Sequence, residues 1–84
     1  MRQRRGILRY SPDQDRFCLD EGEAITSFHC GETLGIRIGA DYAWGRMESD
    51  DERQWYIIFS APPGKHSSAF TLRRGHRYDA CVNW

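Results

Sequence analysis

Eighty-four residues with 39% hydrophobic and 13% aromatic side chains suffice for one small domain near the lower limit of unaided folding, and exclude a disordered chain. The formal net charge of zero argues against a dedicated polyanion binder, which is usually basic overall. No apolar run approaches the roughly 20 residues that cross a bilayer, and the basic start MRQRRGILRY lacks a signal peptide's apolar stretch. No membrane association and a cytoplasmic location are therefore expected.

The first element is GILRY, residues 6–10, followed by SPDQD, where Pro12 and Asp13 suit the central positions of a turn. RFCLD then returns with Phe17 and Leu19 on one face and Cys18 on the other. This is a hairpin, and the basic residues 1–5 before it are expected to form a flexible lead. LGIRI alternates Leu34, Ile36 and Ile38 with Gly35 and Arg37, and GAD turns it into YAWGRME as a second hairpin. After the acidic turn SDDE, the run QWYIIFS is apolar on both faces, with Trp55, Ile57 and Phe59 opposite Tyr56 and Ile58. Such a run is expected at the centre of a sheet.

APPGKHS reads as a loop, since Pro62 and Pro63 cannot donate to a ladder. AFTL and RYDACV are short closing strands, with Tyr78, Ala80 and Val82 sharing a face. No window shows a helical stripe. Residues 1–84 are thus expected to form a single all-β domain, a small antiparallel SH3-like barrel or rolled sheet of five to six short strands. Closure is favoured because it removes sheet edges.

Cys18, Cys30 and Cys81 are an odd, widely spaced set, unlike a disulfide framework, and are expected to be reduced. FHCGE, residues 28–32, places His29 beside Cys30. Adjacent residues on an extended backbone point to opposite faces, which separates a nucleophile from its base and one zinc ligand from the next. His66, His76, Cys18 and Cys81 add no strong ligand spacing. Gly64-Lys65 lacks the flanking residues of a phosphate-binding loop. No metal, cofactor or catalytic residue is expected. FHCGE reads instead as a turn made by Gly31, with Phe28 and Cys30 inward, His29 near the surface, and Leu34 opening the next strand.

Taken together, GILRYSPDQDRF, HCGETLGIRI and WYI resemble a short uncharacterised bacterial family, often encoded on plasmids and integrative elements. The resemblance covers roughly residues 6–60 and is most specific at His29-Cys30-Gly31-Glu32 and at Trp55-Tyr56. The Pro-Pro-Gly loop and the tail bearing Cys81 fall outside it. It implies a small β domain with no established activity and no catalytic residues.

Charge is unevenly spread. Residues 1–10 carry four arginines and no acid, residues 11–32 a net −5, residues 33–60 a net −2, and residues 61–84 a net +3. Two functions compete. The leading one is a non-enzymatic protein-interaction module, with self-association through an edge strand as a variant, serving a bacterial mobile element as an accessory or regulatory protein. Its groove candidates are Tyr42, Trp44 and Tyr56, with SDDE as an acidic rim. The alternative is nucleic-acid binding, with Arg2, Arg4, Arg5, Arg73, Arg74 and Arg77 gathered on one surface if the chain ends pair. Tyr10, Phe70, Tyr78 or Trp84 would then supply stacking platforms.

Overall fold

In the computed structural model, which describes residues 3–59 and 68–84, eight strands form one antiparallel sheet. They are β1 (Arg4–Ser11), β2 (Arg16–Asp20), β3 (Ile25–Ser27), β4 (Thr33–Ile38), β5 (Asp41–Ser49), β6 (Trp55–Phe59), β7 (Ser68–Thr71) and β8 (Tyr78–Val82). Both predicted hairpins are present, β1–β2 in the register Tyr10↔Phe17 and β4–β5 in the register Gly35↔Trp44. Arg2 and the APPGKHS loop, with Lys65 and His66, lie outside the described residues.

The spatial order is β3-β2-β1-β8-β4-β5-β6-β7. The last strand in sequence therefore sits in the middle. It pairs with β1 from Arg4↔Val82 to Leu8↔Tyr78, and with β4 only at Gly35↔Cys81 and Ile36↔Ala80. At this short joint the sheet rolls over, and the two halves bury their inner faces against each other. Leu8, Phe17 and Leu19 from one half meet Leu34, Ile36, Met47, Trp55 and Ile57 from the other, with Ala80 and Val82 between. Each fully buried Leu, Ile or Phe contributes about 1.5–3 kcal/mol.

The all-β expectation holds, though with eight strands rather than five to six, and of its two forms the structure takes the rolled sheet: β3 and β7 remain edges, so no barrel closes. Three further expectations need correction. The run Trp55–Phe59 is the second strand from an edge, not the central one. It is apolar on both faces, but β8 takes the middle because its pairing with β1 and β4 joins the halves. Ile38 shares its alternation with Leu34 and Ile36 yet is exposed, because it lies beyond the last β8 partner. Arg4 and Arg5, expected in a flexible lead, open β1 and pair with Val82 and Cys81.

Candidate functional site

Alternation and register assign every strand residue to a face. On the outer face, Arg37 lies opposite Tyr42 and Gly35 opposite Trp44, while Gly35 and Arg5 are both opposite Cys81. A Cβ on Gly35 would stand 2.9 Å from Cys81 Sγ and 3.2 Å from the Trp44 ring. The missing side chain is what lets the indole lie across β4 and cover the fully buried Cys81. Burial is the main reason the Cys81 thiol is pushed up from its ordinary pKa.

Beside this indole, the Arg5 guanidinium sits 5.7 Å from the centre of the Tyr42 ring. Arg5 Nε donates to Gln3 Oε1, and Arg37 Nε to the Gly39 carbonyl. Neither arginine has an ion-pair partner among the described residues. Arg5, Arg37, Tyr42 and Trp44 thus form a patch of uncompensated cations and half-buried rings. Tyr56 shares the outer face but lies opposite Glu48, toward the far end of β5. Between it and Trp44 stands the Arg46–Glu48 ion pair, 2.6 Å long. The three groove candidates therefore share a face, and two of them are neighbours.

The arginine candidates separate. Arg4 and Arg5 lie where β1 begins, whereas Arg73, Arg74 and Arg77 precede β8, whose first residue, Tyr78, pairs with Leu8. The chain ends pair as supposed, but antiparallel pairing sends their basic residues to opposite ends of the ladder. Arg4 is also engaged by the Glu21 carboxylate. Arg74 is held structurally, its guanidinium 4.7 Å over the Tyr10 ring and its Nη2 donating to the Arg53 carbonyl at 3.0 Å. Arg73 and Arg77 are exposed. Among the supposed stacking platforms, Phe70 stands edge-on to Tyr78 and Trp84 edge-on to Phe28.

At the other end of the roll, turns from both halves meet. The Asp15 carboxylate accepts from the Tyr10 hydroxyl and from Arg53. The Tyr10 bond is the larger cause holding Asp15 below the usual carboxylate pKa, with Arg53 and Arg74 adding to it; the same bond raises Tyr10. Beside this network opens a cleft of about 440 Å³. Gln14, Asp15 and Arg16 line it from one half, with Cys30, Ser49, Arg53 and Trp55 from the other side. Of these, sequence reasoning weighed Cys30 for chemistry and placed Ser49 in the acidic SDDE turn, and it gave the others no functional role. Asp15 and Arg53 lie 38 residues apart, and no local spacing announces their contact.

FHCGE reaches this cleft at Cys30. Phe28 is buried as expected and its N–H donates to the Phe17 carbonyl at 2.9 Å. Gly31 has φ +91°, the turn conformation that glycine was expected to supply. Its N–H donates to the Met47 carbonyl at 2.7 Å. Glu32 braces the turn, one carboxylate oxygen accepting from the His29 N–H at 2.5 Å and lying 3.3 Å from Nδ1 of its exposed ring. Cys30 does not point inward. It is exposed, with Sγ 3.3 Å from Ser49 Oγ, because the Gly31 turn ends the extended alternation that would have buried it. Among the described residues, no group of three or more His, Cys, Asp or Glu side chains is placed to hold a metal ion, and no helix is long and apolar enough to cross a membrane.

A family model described as a domain of unknown function (DUF5348) matches residues 6–82. The match extends beyond the resemblance at residues 6–60 to take in the proline-containing loop and the whole of β8 with Cys81. No curated protein and no solved structure matches the chain.

Proposed function

Because the chain belongs to the DUF5348 family, a domain family of unknown function, we propose a role read from its own surface: a small non-enzymatic protein-interaction module that binds through the outer face of β4 and β5. The observation that carries this reading is the Arg5 guanidinium held over Tyr42, beside Trp44 and Arg37. A cation–π contact at an exposed site is worth about 0.5–1 kcal/mol. That is enough to orient Arg5 without neutralising it. Both arginines keep free donors, and the half-buried rings offer apolar area at low entropic cost. The fitting partner is a protein segment carrying carboxylates next to an apolar or aromatic side chain. The family resemblance supports an accessory or regulatory role for a bacterial mobile element, which we place in the cytoplasm.

A displayed library of random peptides tests this. The wild-type chain should enrich acidic, aromatic-containing peptides, and their binding should be lost when Arg5 and Arg37 are both replaced by Glu. An absence of enrichment, or enriched peptides that bind the charge-reversed variant equally well, would overturn the proposal.

The same pairing of guanidinium and aromatic ring also favours a second reading, single-stranded nucleic acid stacked on the sheet face. It is the weaker one, since Asp20, Glu48 and Asp79 share that face with the arginines by register. Oligothymidylate binding that falls steeply with salt and vanishes in the charge-reversed variant would select it.

A further inference from the structure

The cleft at the open end of the roll lies at the opposite end of β5 from the Arg5–Tyr42–Trp44 patch. Tyr42 and Ser49 are seven residues apart along that strand, about 23 Å at 3.3 Å per residue. We propose that this cleft binds a small oxyanion, a carboxylate or phosphate on a molecule that fits its volume, between Arg16 and Arg53.

The hydrogen-bond inventory of the walls points there. Each guanidinium offers five N–H donors. Arg16 commits one nitrogen to the Phe28 carbonyl at 3.3 Å, and Arg53 one to Asp15. The Ser49 hydroxyl and the Cys30 thiol have each other at 3.3 Å. Trp55, which also lines the cleft, has a buried Nε1–H without an acceptor. The side-chain acceptor oxygens of the wall, by contrast, each hold a donor already. Asp15 Oδ1 receives Tyr10 and Oδ2 receives Arg53, while Gln14 Oε1 receives the Ser27 hydroxyl. Asp50, in the turn just before Arg53, spends Oδ1 on the backbone N–H groups of Glu52 and Gln54, both at 2.9 Å. The two guanidiniums thus keep most of their N–H donors unpaired at the cleft.

An oxyanion supplies what is missing. Its oxygens match the planar fork of arginine, where charge-assisted bonds are strongest. The volume of about 440 Å³ lies within the range of small-molecule sites, roughly 300–1,000 Å³. That is room for a small metabolite rather than a folded partner.

Nitrogen-15 spectra of the full chain, titrated with inorganic phosphate and separately with citrate at constant ionic strength, test the site. The assigned indole N–H of Trp55 should shift saturably with at least one probe, while those of Trp44 and Trp84 stay in place. Whichever probe binds more tightly identifies phosphate or carboxylate as the ligand chemistry. Arg16→Lys and Arg53→Lys should each weaken binding about tenfold, the loss of one charged hydrogen bond. If Arg16→Lys fails to fold, Arg53→Lys decides, since that side chain is 75% exposed. No saturable shift with either probe, a shift that chloride reproduces, or binding undiminished in the folded lysine variants overturns the proposal.

Discussion

Asp15 and Arg53 are the two non-glycine residues with positive φ among the described residues, at 53° and 60°, and they form an ion pair with each other. Asp15 closes the turn between β1 and β2, and Arg53 the turn between β5 and β6. A residue in the left-handed region at the end of such a turn matches the twist of the hairpin strands, and glycine is its usual occupant. Here two charged residues take those places and bridge the halves of the roll. Arg74 secures the bridge by stacking on Tyr10 and bonding the Arg53 carbonyl.

The bridge gives stability a definite pH dependence. Asp15 is held below its ordinary value of 3.8, first by the Tyr10 hydroxyl and then by Arg53. Asp20 is lowered by the Gly22 N–H and by Arg9, and Glu21 by Arg4. A carboxylate with a depressed folded pKa adds stability above its unfolded pKa and loses it as pH falls through the folded one. Unfolding midpoints should therefore be level above the ordinary carboxylate range and drop progressively below about pH 4. Asp15→Asn, which tolerates the same backbone, should flatten part of that acid limb. Tyr10 has the opposite sense: its raised pKa means that its contribution fades as pH climbs through the folded value, above its ordinary 10.0. Urea midpoints measured across pH in both proteins check both limbs.

At Arg53 the usual order of alanine and glycine should reverse. Both Arg53→Ala and Arg53→Gly remove the ion pair, but only alanine keeps a Cβ in the left-handed region. Arg53→Ala should be less stable than Arg53→Gly by about 1 kcal/mol. Against the wild type, glycine should be nearly neutral, because exposed ion pairs are worth about 0–1 kcal/mol. Equilibrium urea unfolding of the three proteins measures this, and an alanine variant as stable as the glycine one would contradict the backbone assignment.

Gly35 should tolerate no side chain while Trp44 lies across it. Gly35→Ala puts a methyl 2.9 Å from Cys81 Sγ and 3.2 Å from the indole, and overpacking of this kind costs about 1–3 kcal/mol. Trp44→Ala removes one of the two obstructions. The double variant should therefore lose less than the two single variants together, a coupling of at least about 0.5 kcal/mol in a double-mutant cycle. Strict additivity would mean that the ring does not rest on the glycine.

The thiols should divide one against two. Cys18 and Cys81 are fully buried, and Cys30 is exposed. An aromatic disulfide reagent that releases a coloured thiolate should titrate a single thiol in the native chain and all three in denaturant. Cys30→Ser should abolish the native reaction. A faster native reaction at Cys81 would show that Trp44 does not cover it.

Alternation alone exposed most of the strands, because a side chain repeats its face every two residues and turn residues interrupt the pattern. GILRY, RFCLD, LGIRI, YAWGRME and WYIIF all fall in strands. The three-residue strand β3 escaped notice because it is too short for alternation to register. Tyr42, Trp44 and Tyr56 were legible as surface candidates, since their positions alternate with core residues such as Met47 and Ile57. Arg37 was not, because its place in the patch depends on standing opposite Tyr42.

By itself, then, the sequence determined the fold class, the hairpins and the Gly31 turn, all of which depend on neighbours along the chain. Only the tertiary structure decided that β8 lies between β1 and β4, that the sheet rolls without closing, and that the basic ends lie apart. It also decided that Asp15 meets Arg53 beside an exposed Cys30. Those outcomes turn on which strands pair and where the sheet bends. Burial of both inner faces in one shared core selects that arrangement, and no local pattern of residues encodes it.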